Sequence, residues 1–585
     1  MQYLWIFKNA LKNNCIQSLL QTILVTLVLS LAGINTGLAQ PIAPSDQEES
    51  NRRFTQQEEL RRRAQSEAEE RRSREQSKDT FLQPTVAPME EKTLPVEELS
   101  FSIHTLQLEG ERIEHFSWLQ DMLNQYKGQK IGKEGINLIV KRLTNQLIAR
   151  GYTTTRIGIP QQDLSSGILK LTLIPGIIRD IRIVSPGSRA NWYTAFPTRR
   201  GYILNLRDLE QGLEQLKRVP SQDADMKISP GDKPGESDVL ITVKSNIPVR
   251  TTLSLDDSGA KATGKLQSST SLSLDNILGI NDLFYISYNK DAEQKDYLYG
   301  THGNSYQYSL PYGYWTFTLS GSSYEYHQTV QGRNQTFVSS GQSDNTEFRI
   351  QRLIRRDQQS KTSLQFAIIK KHTQNFIDDT EIGNPRKDVT AAEFGIIHRQ
   401  YYDKTVVDVR LAHRWGVPWF HAQAENENRG PDAQTTRYKL WTLDAAVTTP
   451  VQFGKIEGKY SLTFRGQYTK DLLYNADYFS IGNRYTVRGF DGEQTLSAEN
   501  GWFVRNEWSA PIDKEQEAYI GLDYGQVSGS ATRWLVGTKL VGTAIGIRGS
   551  KGNLHYDIFT SWPIYKPRGY QSASHPFGFQ LVYQM

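Results

Sequence analysis

Cysteine is almost absent from this 585-residue chain, in which the only one is Cys15. It lies in residues 1–39, which have the features of a secretory signal peptide. The start carries positive charge, residues 16–31 are mostly apolar, and Gly37-Leu38-Ala39 supplies small residues for cleavage. After cleavage no thiol remains for disulfide bonds, nucleophilic catalysis or metal binding. An uncleaved membrane anchor is the alternative interpretation.

Long apolar runs are also lacking, because no second stretch of about 18 apolar residues follows the signal peptide. A membrane-spanning helix is therefore not expected. Hydrophobic residues make up only 37% of the chain, yet aromatic residues make up 11%, including 29 tyrosines. A soluble globular protein hides its aromatics in a core richer in leucine, isoleucine and valine. An exported chain without a helical anchor can still span a membrane as a closed β-barrel.

Charge excess and enzymatic motifs are lacking as well. The net charge of +5 is small for this length, and it argues against nucleic acid as the main ligand. The chain has no His-Glu-x-x-His zinc helix, no Gly-x-Ser-x-Gly nucleophile turn and no Gly-Lys-Ser/Thr phosphate loop. We therefore predict that the protein is not an enzyme, and that it has no catalytic, cofactor-binding or metal-binding residues.

The segment after the signal peptide, residues 40–78, is dense in charge. Glutamate and arginine recur three and four positions apart in residues 48–76, a spacing that supports a helix. Because this helix is polar on all sides, it is suited to a water-filled lumen or to bulk solvent. A disordered linker is the alternative. Residues 79–98, which contain Pro84 and Pro88, are predicted to be an extended linker.

Two small modules are predicted next, at residues 99–176 and 177–247. Each has the order β-α-α-β-β, and Asn205 is a candidate helix cap in the second. A module of this kind has an open sheet edge to which an extended peptide can add as another strand. The alternative is that the pair serves as rigid spacers.

Residues 248–585 alternate between apolar and polar positions almost throughout. Trp315, Phe317 and Leu319, for example, alternate with threonine and serine. This periodicity predicts β-strands with one face toward lipid and one toward a wet lumen, and we count about sixteen, an even number. The expected fold is a transmembrane 16-stranded antiparallel β-barrel that follows two α+β modules. A soluble sandwich or propeller is the alternative.

One irregular stretch interrupts the strands at residues 470–500. A connection of this length without periodicity is usually functional or disordered. Its tip reads Val487-Arg488-Gly489-Phe490 and follows the eleventh predicted strand. Two strands later, Asp523 lies on the polar face of a strand whose apolar residues point to lipid. If the loop folds inward, Arg488 can reach Asp523 and form a charge-assisted pair.

The order of these parts resembles the two-partner-secretion transporters. These belong to the haemolysin secretion/activation (TpsB-type) branch of the polypeptide-transporting outer-membrane barrels. The signal peptide, charged helix, linker, paired modules, barrel and Val487-Arg488-Gly489-Phe490 loop all match. The segment Lys233-Pro234-Gly235-Glu236-Ser237-Asp238-Val239 is similar to the one that opens the last strand of the second POTRA domain in this family.

The resemblance implies a role for each part. The modules would be periplasmic POTRA domains, and residues 40–78 would form a helix that plugs the barrel at rest. Arg488 would pair with the inner-wall residue Asp523 and help to shape the conduit. An unfolded exported partner, expected to be a large β-helical protein, would cross the outer membrane through the barrel without a cofactor.

Other partners and alternatives follow from the same resemblance. An outer-membrane barrel contacts lipid and lipopolysaccharide, and it requires the barrel-assembly machinery for its own insertion. The main functional alternative is a POTRA-barrel factor that assembles other β-barrel proteins into the outer membrane. A passive porin is a weaker alternative, because a porin does not need the two modules.

Overall fold

The computed structural model describes residues 80, 82, 93–293, 295, 298–331, 336–381, 387–425, 429–430 and 433–585. The predicted signal peptide at residues 1–39 and the predicted charged helix at residues 40–78 lie outside these residues. Within the described ranges, no helix combines the length and the apolar character needed to cross a membrane.

The first module is an α+β unit with one apolar core. Its elements are β1 (Ser100–Ser102), β2 (Thr105–Gly110), α1 (Ser117–Asn124), β3 (Lys130–Gly132), α2 (Lys133–Ala149), β4 (Arg156–Gly158) and β5 (Ile168–Ile174). The sheet order is β2-β5-β4, and β1 pairs with β3. Leu143 and Leu147 of α2 share the buried core with Leu169 and Leu171 of β5. These residues recur at helical and strand spacing, which is why each element has a single buried face.

The second module has the same class of fold. Its elements are β6 (Ile177–Ile183), α3 (Trp192–Ala195), α4 (Leu206–Lys217), β7 (Gln222–Pro230) and β8 (Glu236–Ser245). The sheet order is β6-β8-β7. Asn205 caps α4, since its side chain accepts a hydrogen bond from the Arg207 backbone N–H at 2.8 Å. Leu209 and Leu213 of α4 lie in the core of the module.

A closed antiparallel barrel follows, with sixteen wall strands in the described part of the chain. These strands are β9 (Val249–Asp256), β10 (Gln267–Asp275), β11 (Leu283–Asp291), β12 (Tyr299–Tyr312), β13 (Trp315–Gln331), β14 (Thr336–Arg356), β15 (Ser360–Ile377), β17 (Lys387–Tyr402), β18 (Thr405–Val417), β19 (Lys439–Phe453), β20 (Ile456–Thr469), β23 (Asn500–Pro511), β24 (Gln516–Ser528), β25 (Lys539–Lys551), β26 (Leu554–Tyr565) and β27 (Phe577–Gln584). The last strand pairs with the first and closes the sheet. The predicted barrel and its strand number are therefore confirmed.

Three shorter strands complete the sheet structure. They are β16 (Thr380–Glu381), β21 (Phe479–Ile481) and β22 (Leu496–Ala498). The first extends the β15–β17 hairpin, whereas β21 and β22 form a separate hairpin within the loop after β20. This loop follows the eleventh wall strand in sequence, as predicted.

The two faces of each wall strand meet different surroundings. On β24, Ile520 and Leu522 are 48% and 51% exposed on the outside, while Asp523, directly after Leu522, is 0% exposed. Alternate residues of a strand point to opposite faces, so the apolar outer face meets lipid and the polar face meets the lumen.

The polar side of α4 is buried too, because it packs against the end of β14. The guanidinium of Arg356 donates to Glu210 at 3.2 Å and to Glu214 at 2.7 Å, and it also donates to the backbone carbonyl of Thr80 at 2.9 Å. Burial alone would raise the pKa of Glu214, but Arg356 and Lys361 hold that pKa below its usual range. This network fixes the second module against the mouth of the barrel.

Candidate functional site: the loop inside the barrel

The loop after β20 has an apolar core of its own. Val487 is fully buried, and Phe490 contacts the ring of Tyr570 edge to face with centroids 5.5 Å apart. Both belong to one buried cluster with Ile481 of β21 and Leu540 of β25. The loop is therefore packed against the inner wall of the barrel, which explains how a stretch without periodicity keeps a defined conformation.

Arg488 and Asp523 meet inside the barrel. The guanidinium of Arg488 donates from Nε to Oδ2 of Asp523 at 2.7 Å and from Nη2 to Oδ1 at 2.8 Å. The backbone N–H of Arg488 also donates to Oδ2, at 2.9 Å. Asp523 is 0% exposed, and the hydrogen bonds from Arg488 satisfy both of its carboxylate oxygens. A bidentate arginine–carboxylate pair fixes orientation as well as distance.

The same guanidinium is held by a second carboxylate that the sequence reasoning missed. Arg488 donates from Nη1 to Glu507 of β23 and from Nη2 to the Asn506 backbone carbonyl at 3.2 Å. Arg548 of β25 also pairs with Glu507, at 2.8 Å. These strands lie on either side of β24. The loop arginine is thus held by carboxylates from two neighbouring strands.

Close contact between the loop and the wall depends on glycines in the wall. A Cβ atom on Gly521 would lie 2.1 Å from Nη2 of Arg488, and one on Gly542 would lie 1.8 Å from its carbonyl oxygen. Gly489 itself has a φ of 107°, which favours glycine, and its Cα lies near Gly542. Arg488 and Gly489 can therefore lie this close to the wall only because Gly521 and Gly542 have no side chains.

A second loop arginine reaches the seam where the barrel closes. Arg484 donates to the carboxylate and to the backbone carbonyl of Asp257, which directly follows β9. The Asp257 carboxylate also accepts the backbone N–H of Phe579 on β27 at 2.9 Å. The pairing of β27 with β9 spans residues 580–584 and 252–256. The loop is therefore attached to the first and last wall strands as well as to β23 and β24.

A cavity of about 160 Å³ lies between the loop and the wall strands β15, β18, β19, β20 and β23. Its charged lining residues are Lys371, Arg410, Arg414, Asp444, Arg465 and Asp477. Arg465 donates to Asp444 at 2.7 Å, and Arg410 is 3.4 Å from the same carboxylate. The wall facing the loop is thus a network of paired charges, which is compatible with a hydrated conduit.

The segment from Lys233 to Val239 lies at the hairpin that opens β8. Arg179 of β6 donates from Nε to the Asp238 carboxylate at 2.7 Å. This hydrogen bond holds the pKa of Asp238 below its usual range. The pair joins adjacent strands of the second module and is distant in sequence from the loop inside the barrel.

No cluster of three or more potential metal-ligating side chains occurs within the part of the chain that the structure describes. The arrangement around Arg488 is chemically suited to holding a loop in place. Its donors and acceptors are mutually satisfied, and they form a buried contact between a connection and a wall.

The chain has two α+β modules, followed by a closed sixteen-stranded barrel with a loop packed inside it. This architecture defines a class of protein, the outer-membrane barrels with periplasmic POTRA domains. The chain belongs to the haemolysin secretion/activation family, since the model for "Haemolysin secretion/activation protein ShlB/FhaC/HecB" matches residues 235–549. Models for a ShlB-type POTRA domain and a POTRA domain match residues 101–176 and 177–230. The family resemblance seen in the sequence is confirmed.

Individual proteins support this assignment. The chain is 45% identical to the outer membrane transporter CdiB-2 of Burkholderia pseudomallei, over 81% of this chain and 82% of that protein. It is 29% identical to the hemolysin transporter protein ShlB of Serratia marcescens, over 68% and 71% of the two chains. The solved structure of CdiB from Acinetobacter baumannii matches with a TM-score of 0.80 and 25% identity, covering 93% of this chain and all of that one.

Proposed function

We propose that this protein is the transporter of a two-partner secretion system. In this proposal, the POTRA domains bind an unfolded exported protein in the periplasm, and the barrel passes that protein to the cell surface. The observation that carries the proposal is the loop held inside a sixteen-stranded barrel by the Arg488–Asp523 pair. Membership of the haemolysin secretion/activation family favours secretion over the assembly of other barrels.

The loop forms one wall of the conduit in this account. Val487 and Phe490 pack the tip against the barrel, Gly489 permits the close approach, and Arg488 fixes the register through Asp523. A loop held only at its ends would leave the path of the exported chain undefined. The same contacts make the loop a single unit, with the buried Arg488–Asp523 pair at its tip.

The remaining roles are proposals of the same kind. Residues 40–78 are the helix that plugs the barrel at rest, and residues 79–98 link it to the first POTRA domain. The protein catalyses no reaction and uses no nucleotide. Folding of the partner outside the cell supplies the free energy for export. The partner is a large exported β-helical protein. Relatives that are named as hemolysin transporters support an exported protein as the partner. Lipopolysaccharide and the barrel-assembly machinery are the partners of the barrel itself.

Substitution of Arg488 tests the proposal. The Arg488→Ala variant should abolish export of the co-expressed partner, because it removes the bidentate contact and leaves Asp523 buried without its main counter-charge. Arg399→Ala is the matched control, since Arg399 donates to both oxygens of Asp408 at 2.6 and 3.0 Å within the wall strands β17 and β18. Partner reaching the medium is measured by immunoblotting, and barrel folding is measured by heat-modifiable migration in gels.

Two outcomes would contradict the proposal. Normal export by a folded Arg488→Ala barrel would show that the loop contact is not needed. Normal export of the partner together with loss of many other outer-membrane proteins on gene deletion would favour the assembly function instead.

A further inference from the structure

The second POTRA domain contains a cationic and aromatic stretch. The loop inside the barrel does not explain the role of this stretch. No acidic residue occurs between Asp180 and Asp208, whereas Arg189, Trp192, Tyr193 and Arg199 all lie in this interval. The Arg199 guanidinium lies over the Tyr193 ring at 4.1 Å from its centroid. Tyr193 is nevertheless 53% exposed, so an amphipathic ring held by a cation faces outward.

This stretch is joined to the periplasmic turn between β10 and β11. Arg189 donates from Nη2 to the Ile277 carbonyl at 2.9 Å, and its own carbonyl accepts from the Asn276 side chain at 2.9 Å. The Asn191 side chain donates to the Gly279 carbonyl at 3.2 Å. The domain and the turn therefore form one continuous surface at the mouth of the barrel.

The turn presents large apolar residues on that surface. Ile277 is 41% exposed and Leu278 is 66% exposed. A periplasmic turn in bulk water gains nothing from two consecutive exposed aliphatic side chains, and an apolar group beside cations and a tyrosine is typical of the membrane–water interface. We call Tyr193, Ile277, Leu278 and Arg189 the interfacial ridge.

The position of the ridge places it at the edge of the lipid-facing surface. Leu274 pairs with Phe284 at the ends of β10 and β11, on the apolar outer face. Tyr308 of β12 lies on the same outer face as the exposed Tyr306 and Tyr312. Its hydroxyl donates to Asp282 at 3.2 Å, and Asp282 in turn accepts the backbone N–H of Leu278 at 3.1 Å.

Leu278 is four residues from Leu274, a separation of at most about 13 Å even if extended. The headgroup layer on each side of a bilayer is about 5–8 Å thick. The ridge is therefore within reach of the phospholipid headgroups and of the upper acyl chains.

We propose that the interfacial ridge binds the phospholipids of the periplasmic leaflet and so holds the second POTRA domain against the membrane. Ile277 and Leu278 enter the acyl–headgroup boundary, Tyr193 lies at the headgroup level, and the exposed Arg189 attracts the phosphate of anionic phosphatidylglycerol. This inference needs only a barrel in a membrane, and it is independent of whether the protein exports a partner.

A fluorescent label at Leu278 tests the proposal in the full-length protein. The only native cysteine is Cys15, so a Leu278→Cys variant in a Cys15→Ser background carries a single labelling site. The labelled protein is placed in nanodiscs of phosphatidylethanolamine and phosphatidylglycerol that contain lipids with a spin-label quencher near the headgroup. Lys233→Cys, in the exposed hairpin of the same domain, is the matched control.

We expect at least about twofold stronger quenching at Leu278 than at Lys233, because quenching by spin-labelled lipid requires close approach to the bilayer. Equal quenching at the two positions would overturn the proposal. Weak quenching at Leu278, with a label signal that changes only when an unfolded partner fragment is added, would also overturn it, in favour of a peptide-docking surface.

The charge contribution is tested with Arg189→Gln. Its control is Lys227→Gln, which removes one positive charge from an exposed position of β7 in the same domain. Quenching at Leu278 should fall in the Arg189→Gln variant in discs with phosphatidylglycerol, and it should change much less in discs of phosphatidylcholine alone. Equal effects of the two substitutions would refute a role for Arg189 at the headgroups.

Discussion

Gly521→Ala perturbs the site by adding a single methyl group to the wall beneath Arg488. The new Cβ would lie 2.1 Å from Nη2 of Arg488. Non-bonded heavy atoms prefer about 3.5 Å, so the guanidinium must retreat by about 1.4 Å. An arginine end group usually moves at little cost, but this one is held by Asp523 and Glu507.

The magnitude follows from the contact that breaks. A retreat of that size takes the 2.8 Å bond from Nη2 to Asp523 beyond hydrogen-bonding distance. Leaving a buried group without its partner costs about 1–3 kcal/mol, which corresponds to a shift of about 5- to 150-fold toward a displaced loop. Gly542→Ala should be more severe, since its Cβ would meet the backbone carbonyl of Arg488 at 1.8 Å.

Export of the partner into the medium is the assay, with heat-modifiable migration as the check on barrel folding. Gly395→Ala is the control, because its Cβ would lie an ordinary 3.4 Å from the Ala412 Cβ. We expect export to decrease in the order Gly395→Ala, Gly521→Ala, Gly542→Ala. Equal export by all three folded variants would refute the argument that the position of Arg488 depends on glycines in the wall.

The other predictions concern the mouth and the lumen. Arg356→Ala should loosen the second POTRA domain by about 1–3 kcal/mol, because it removes the hydrogen bonds to Glu210, Glu214 and the Thr80 carbonyl, while Arg207 and Lys361 still pair with the two carboxylates. Limited proteolysis of the linker to the barrel should accelerate, and unchanged cleavage would contradict the docking role. Deletion of residues 48–76 should raise ion conductance in planar bilayers, and an unaltered conductance would remove the plug assignment.

The barrel itself could be predicted because its signal is repeated along the chain. Alternation with a period of two runs almost throughout the wall strands, and the same parity placed Asp523 on the inner face, opposite to the face of Ile520 and Leu522. That parity required no knowledge of how strands are aligned. It identified the acceptor for Arg488 from one strand alone.

Glu507 and Arg548 could not be found in the same way. Their meeting with Arg488 depends on the register among β23, β24 and β25, and register is a property of pairing between distant segments. The Arg484–Asp257 contact depends in addition on closure of the barrel between its first and last strands. Neither alignment has a local signature in the sequence.

The helix α4 illustrates a different limit. Its leucines predicted one buried side, but Glu210 and Gln211 on the other side are buried as well. Binary patterning assumes that polar residues face water. Glu210 and Gln211 instead contact Arg356, and Gln211 also donates to a backbone carbonyl in a barrel turn. The pattern of leucines therefore predicted the core of the module but not its contact with the barrel.

The path of the exported chain is tested most directly by photo-crosslinking from neighbouring residues of β19 that face opposite ways. Thr442 lines the cavity beside the loop, and Trp441 is exposed on the lipid-facing side. A photoreactive amino acid is placed at each position, and the partner is stalled during export by a folded domain at its carboxyl end. A lumenal path predicts crosslinks to the partner from position 442 and none from position 441. Crosslinks from 441 alone, or equally from both, would contradict it.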